Sequence, residues 1–161
     1  MHIASLVFVL KDNLVLLGRK LKIDSDVGFG KYNGAGGKKT PIESLTTCAI
    51  RETFEEFAIT VSEKDLREVA VITFFTADIP DFEVHVFLAH TFTGKPHATA
   101  EMAPAWFSAA DMPYDQMMEA DRFWLPKILA GQTFRMNVYY RVRGKELMYI
   151  ERVPYEESPQ M

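Results

Sequence analysis

The sequence predicts a mixed α/β domain of the α+β kind, with a mixed β-sheet sandwiched between helices. Three observations lead there. Strand-like runs come in pairs joined by short turn sequences, the mark of antiparallel hairpins. Two stretches, 44–58 and 119–130, carry helical rather than alternating periodicity. The chain has 161 residues and 48% hydrophobic side chains, without repeat, linker or break in composition, so a single core suffices. The expected boundaries are one domain over 1–152 and a frayed C-terminal tail over 153–161. One helix on each side of a sheet is the natural layering.

The elements follow in order. "IASLVFVL" (3–10) is aliphatic and β-branched, "KDN" is turn chemistry, and "LVLLGRK" resumes the run, so a hairpin opens the chain. Residues 21–33 are polar and glycine-bearing and predict a loop. The first helix spans 44–58. "REVAVITFFTA" (67–77) and "FEVHVFLAHTF" (82–92) are strands joined by "DIPD". Residues 94–105 predict a second loop, and the stretch from Ala105 to Met117 at most one helical turn. Pro126 falls within the second helix and marks its first turn or a kink. "FRMNVYYRV" and "KELMYIERV" flank "RG" as the last hairpin.

Bulk chemistry excludes several classes. The net charge of −4 argues against a nucleic-acid binder. The single cysteine, Cys48, permits no internal disulfide and suits a reducing compartment. No apolar run is long enough to span a bilayer, and the first lacks the basic flank of a signal peptide. The expectation is a cytoplasmic protein with no nucleic-acid or membrane partner.

The chemistry concentrates in "GAGGKKTPIESLTTCAIRETFEEFAI" (34–59). At about 100° per residue, Glu52, Glu55 and Glu56 share about 100° of one helix circumference. Ile50, Phe54 and Phe57 fall on the opposite side, which predicts a core face and a carboxylate wedge turned away from it. Crowded anions near a helix C-terminus repel one another and oppose the macrodipole. Taken alone, such a wedge is the solvated acidic face that many helices carry, and the preceding glycines tip the reading to a divalent-metal site. Glycine lets backbone carbonyls approach a cation and supplies positive φ for a turn. Oxygen ligands without histidine or cysteine favour Mg²⁺, with Mn²⁺ as the alternative. A Walker A loop fails on Tyr32 and Lys39, and a dinucleotide fingerprint from Gly34 fails on Lys39.

Gly37, five residues, Glu43, seven residues and then "RETFEEFAI" resemble the Nudix box, G-x5-E-x7-R-E-U-x-E-E-x-G-U, where U is aliphatic. Thr53 and Ala58 depart from it, at an aliphatic position and at the glycine of the helix exit. "YNGAGGK", "EVHVF" (83–87), "EMAPAWF" (101–107) and "DRFWLP" (121–126) are similar, in the same order, to stretches of the Nudix branch formed by the mammalian-type 8-oxo-dGTP diphosphatases, the MutT homologues. The likeness runs from about residue 5 to 152.

The resemblance implies the Nudix fold and Mg²⁺-dependent hydrolysis of a nucleoside triphosphate to monophosphate and pyrophosphate, a nucleotide-pool sanitation activity. It implies that Glu52, Glu55 and Glu56 ligate metal with the Gly36 carbonyl and the downstream Glu101, and that Glu56 acts as or near the general base. Arg51 is implied to position a box glutamate through Glu43 or Glu52, while Lys20 and Lys38 touch phosphate. For the base, the branch pattern points to Asn33, Asp121, Trp124, Phe75, Phe82 and Met118. Asn33 serves equally well as a turn residue before Gly34, and the aromatics as core. Ala120 stands where the branch has a second acid, and Met118 where it has a stacking tryptophan. The expected pocket takes purines, oxidised ones among them, with modest selectivity. Two other readings stay open: another nucleoside diphosphate-X substrate, such as a nucleotide sugar or dinucleotide, and a non-catalytic nucleotide-binding module.

Overall fold

The computed structural model describes residues 1–22 and 28–155. The expected loop at 21–33 and the tail at 153–161 therefore lie partly outside the described residues, at 23–27 and 156–161. The first hairpin is β1 (His2–Lys11) and β2 (Leu14–Lys20). Two short strands follow, β3 (Tyr32–Asn33) at the end of the stretch expected to be loop and β4 (Ala35–Lys38) just beyond it. The first helix, α1, spans Leu45–Phe57. Then come β5 (Leu66–Thr76), β6 (Ile79–Ala89), β7 (Met102–Ser108), α2 (Asp121–Leu129), β8 (Phe134–Val142) and β9 (Lys145–Val153).

Several boundaries correct the sequence reading. The β5–β6 turn is only Ala77–Asp78, both at positive φ (48° and 66°), and "IPD" belongs to β6. Two consecutive residues of that sign make the tight turn whose twist matches the flanking strands. β7 replaces part of the expected 94–105 loop because it pairs along all of β2, from Leu14↔Ser108 to Lys20↔Met102. Pro126 sits in the second turn of α2, not the first. β9 carries the ordered structure to Val153, one residue past the expected boundary.

The strands form one sheet in the order β3-β2-β1-β6-β5-β8-β9, with β4 on β1 and β7 on β2. Parallel pairs β1–β6 and β5–β8 sit among antiparallel ones, so the sheet is mixed. β1 and β2 pair only over Val9–Lys11 and Leu14–Leu16. Beyond that they part, and β4 takes over the outer edge of β1 while β3 takes β2. The segment 32–38 thus fills the split and carries Asn33 and the glycines into it.

Side-chain alternation along β1 builds two cores. Leu6 and Phe8 join Trp124, Leu125 and Ile128 of α2 on one face. Val7 and Val9 join Ala49 and Phe57 of α1 on the other. This is the layering the sequence predicts. Among the described residues, no helix is long and apolar enough to cross a membrane.

Candidate active site

Helix α1 starts at Ser44, whose hydroxyl accepts the Thr47 N–H at 3.1 Å. It ends at Ala58, in the left-handed conformation (φ 59°, ψ 27°) with its N–H donated to the Phe54 carbonyl. Glycine is the usual residue at such a cap because a Cβ is strained there.

The helix buries a different arc from the one expected. Cys48, Ala49, Glu52, Thr53, Glu56 and Phe57 are buried, while Phe54 is 58% exposed. The apolar wheel position of Phe54 misleads because the sheet meets α1 along the carboxylate edge. Thr53 tolerates burial by donating its hydroxyl to the Ala49 carbonyl at 2.7 Å. Cys48 is buried with Sγ 3.2 Å from Ser5 Oγ, and burial pushes its thiol pKa up.

The glycines also act differently from the expectation. Gly34, Gly36 and Gly37 are not among the positive-φ residues. They are small because their neighbours are close. A Cβ at Gly36 would strike the Ser5 carbonyl, and one at Gly37 would collide with the Glu52 carboxylate. The missing side chains bring α1 onto β4 and set Glu52 and Glu56 beside the strand.

Carboxylate oxygens of Glu52, Glu56 and Glu101 lie within 4.8 Å of one another. Glu56 Oε2 accepts the Gly36 N–H at 3.2 Å. Burial, then the charge of Glu52, lifts the Glu56 carboxyl to about 8, and burial raises that of Glu52. Glu55 stands outside this trio, 45% exposed in its side chain and 3.3 Å from Arg51 Nη1. Arg51 organises the flank. Its Nε and Nη2 donate to the two Glu43 oxygens at 3.0 and 2.6 Å, and its Nη1 donates to Glu52 Oε1 at 2.7 Å. That bidentate grip and the Thr40 N–H hold Glu43 at about 2. Both partners expected for Arg51 are engaged at once.

A cavity of about 240 Å³ runs from this cluster. Glu56, Gly36, Gly37, Ser5 and Lys20 border one part of it; Asn33, Met118, Asp121, Trp124, Tyr140 and Phe74 border another. Asp121 is 2% exposed, and burial drives its carboxyl up to about 7, tempered by the Trp124 indole and the Met118 backbone. Asp121 Oδ2 and Trp124 Nε1 are both buried without a hydrogen-bond partner. Asn33 Oδ1 accepts the Gly34 N–H at 2.8 Å, the turn-residue bond, which leaves its amide nitrogen as the cavity-side donor.

The aromatics divide. Trp124 is core, edge-on to Phe8 at 6.0 Å, and also borders the cavity. Phe75 borders the cavity, but its ring stacks on Tyr139 at 4.4 Å. Phe82 borders it too, with Lys38 Nζ 5.7 Å and Arg143 Cζ 5.8 Å from its ring. Lys38 is otherwise not part of the wall. Arg143 itself is gripped by both Asp81 oxygens at 2.6 and 2.8 Å. Sequence reasoning missed Ser5, Phe74, Asp81, Tyr140 and Arg143. The alternation of β5 and β8 gave the only signal for Phe74 and Tyr140, and nothing local marked Asp81 and Arg143, 62 residues apart.

The profile of the NUDIX domain matches residues 1–128. The oxidized purine nucleoside triphosphate hydrolase of Danio rerio is 34% identical over 145 residues, which cover 89% of this chain and 88% of that one. The protein of the same description from Mus musculus is 34% identical over 146 residues, 90% of each. In fold, the chain is similar to the crystal structure of the mutator MutT protein from Bacillus halodurans, with a TM-score of 0.77 at 20% identity, covering 97% of this chain and 100% of that one.

Proposed function

The chain belongs to the Nudix family, and from that premise we propose that it hydrolyses a purine nucleoside triphosphate, oxidised forms such as 8-oxo-dGTP included, to the monophosphate and pyrophosphate. The observation that carries the reading is one cavity with two kinds of wall: at one part Glu56, whose carboxylate converges with those of Glu52 and Glu101, and at another the unpaired Asp121 Oδ2 with Asn33. The 34% identity to two oxidized purine nucleoside triphosphate hydrolases supports the substrate class.

The donor set fits a divalent cation. It is all oxygen, and the carboxyls of Glu52 and Glu56 are raised by burial first and then by their acidic neighbours, a repulsion that a cation would relieve. Nudix hydrolases use such an ion, and Mg²⁺ is the one we assign here, held by Glu52, Glu56 and Glu101, with Glu55 and the Gly36 carbonyl as the further ligands. When bound, it neutralises the polyphosphate and renders water a better nucleophile.

The rest falls to the chain. Glu56 takes the proton of the attacking water, its Oε2 steadied by the Gly36 N–H. Arg51 fixes Glu52 by holding Oε1 while Glu43 locks the guanidinium. Lys20, which borders the cavity near Glu56, and Lys38 meet phosphate oxygens. Asn33 and Asp121 hydrogen-bond the base, while Met118, Trp124, Phe82 and Phe75 enclose it. The cytoplasm, where nucleotide pools lie, is the proposed location.

The test is pyrophosphate release with Mg²⁺ from 8-oxo-dGTP, 2-oxo-dATP, dGTP and dATP, beside a nucleotide sugar and a dinucleoside polyphosphate. Turnover of the purine triphosphates with kcat/KM values within about tenfold of one another is expected, since one lost hydrogen bond is ~0.5–1.5 kcal/mol. Turnover confined to the sugar or dinucleotide would overturn the reading.

A further inference from the structure

Tyr140 in β8 is 3% exposed and borders the cavity beside Asp121. Its ring stacks on Phe74, with centroids 6.4 Å apart and planes 14° from parallel. Its hydroxyl oxygen accepts the Ala120 N–H at 2.9 Å, a buried bond. A phenol that accepts there still has its own proton to donate. Among the described residues no acceptor takes that proton. Next to it, Asp121 Oδ2 is buried and unpaired as well. The two groups feel each other: burial first and then the Asp121 charge hold the phenol pKa up, against the lowering effect of the Ala120 bond.

A buried carboxyl oxygen without a partner is costly, and beside it the phenol still has a proton to donate. A phenylalanine would fill the same ring volume and stack equally well, so packing does not account for the hydroxyl. The Ala120 N–H occupies one of its lone-pair directions and turns it toward donation. The cavity wall therefore presents a donor, Tyr140 Oη, beside an acceptor, the Asp121 carboxyl.

We propose that Tyr140 is a specificity-determining residue for the base, its hydroxyl donating to a purine carbonyl oxygen while Asp121 accepts from the adjoining ring N–H. The proposal rests on the nucleotide reading above and deepens it: the preferred base carries a lactam edge, C=O next to N–H. An amino-purine edge sets an amino donor against the hydroxyl donor. Ala120 supplies no side-chain contact to the base, but its backbone fixes the phenol that does.

The test compares ligands that differ at that edge and needs neither metal nor turnover. Tryptophan fluorescence reads the binding of inosine 5′-monophosphate, which has the lactam, and of purine riboside 5′-monophosphate, which lacks it. In the native protein the lactam ligand binds about fivefold tighter, and in Tyr140→Phe the ratio falls to within about twofold of unity. If Tyr140→Phe weakens both ligands equally, or leaves the ratio unchanged, the hydroxyl is a structural cap on Ala120 and the proposal is overturned. Should that variant fail to fold, the native ratio decides alone, and equal affinities overturn the proposal. A native protein that shows the preference yet hydrolyses no purine triphosphate would sink the hydrolase reading and leave this one standing.

Discussion

Acids stand at two places along the cavity, and they are held in opposite ways. In the first, Glu52, Glu56 and Glu101 crowd together, with the Gly36 N–H donating to Glu56 and Arg51 to Glu52. In the second, Asp121 stands alone among Trp124, Met118 and Tyr140 with one oxygen unpaired. Both arrangements raise carboxyl pKa values, Glu56 to about 8 and Asp121 to about 7. The causes differ. Burial acts on both, but Glu56 also feels the charges of Glu52 and Glu101, whereas burial alone lifts Asp121. Repelling acids are relieved by a cation; a lone buried acid is relieved by a proton or a neutral hydrogen-bond partner. One acid cluster is thus suited to metal and phosphate, and the single acid to a base.

The largest effect should come from breaking the first arrangement at its deepest residue. Glu56→Gln keeps shape and the Gly36 contact but removes the charge and the proton acceptor. Turnover should fall by roughly 10²–10⁴, the range for a positioned general base, while nucleotide affinity changes far less. Steady-state kinetics with a separate binding titration checks this, and near-normal turnover would remove Glu56 from its assigned role.

The second test reads the cluster without substrate. Metal binding needs Glu56 ionised, and in the metal-free protein its carboxyl titrates near 8. Mg²⁺ affinity should therefore climb about tenfold per pH unit up to about 8, with about one proton released, and level off above. Calorimetry at pH 6, 7 and 8 in buffers of different ionisation heat would show it. A flat profile would mean that the cluster is ionised without metal.

Asp121→Asn probes the other acid. The folded carboxyl titrates near 7 against 3.8 for the free group. Between those values the native state holds a proton that the unfolded chain has lost. This group's contribution to stability is therefore full below about 4, declines as pH rises to about 7, and stays low beyond. The other acids titrate alike in the two proteins, so denaturant unfolding of the native protein should lose about 1.4 kcal/mol per unit across that window relative to Asp121→Asn. Parallel slopes would show that Asp121 is charged in the fold.

The smallest effect belongs to a residue in neither place. Ala58→Gly relieves a left-handed cap and should stabilise the fold by ~1 kcal/mol without changing either titration. A loss of stability would show that the Ala58 methyl packs usefully.

Much of this was legible before the structure. The Nudix box placed Glu52, Glu56 and Arg51, and paired apolar runs with turn residues placed the hairpins, because local chemistry determines both. What was not legible depended on distant partners. β7, MAPAWFS, interrupts its strand-favouring aromatics with two alanines and a proline, and exists because β2 pairs with it throughout. The wheel of α1 located its apolar residues correctly but not its buried arc, since glycines on β4 admit the carboxylate edge and leave Phe54 outside. Asn33 was balanced between turn and base contact, and its two ends divide that work: the oxygen serves the turn and the nitrogen remains for the cavity. Tyr140 went unnoticed because its value lies in the Ala120 amide, which no sequence pattern advertises.

The parallel pairing at the centre of the sheet also governs the order in which the molecule can be born. β1 is flanked on its inner edge by β6, with His2 opposite Phe82 and Val9 opposite Ala89. During synthesis the first strand therefore emerges long before its central neighbour exists. β5 then waits for β8, Ala70 for Phe134. Such distant closures are slow steps in folding, so the chain should fold on the millisecond-to-second scale rather than in microseconds. Until they occur, Val7, Phe8 and Val9 present an apolar strand edge still open on the nascent chain, the kind of edge along which partly folded chains associate.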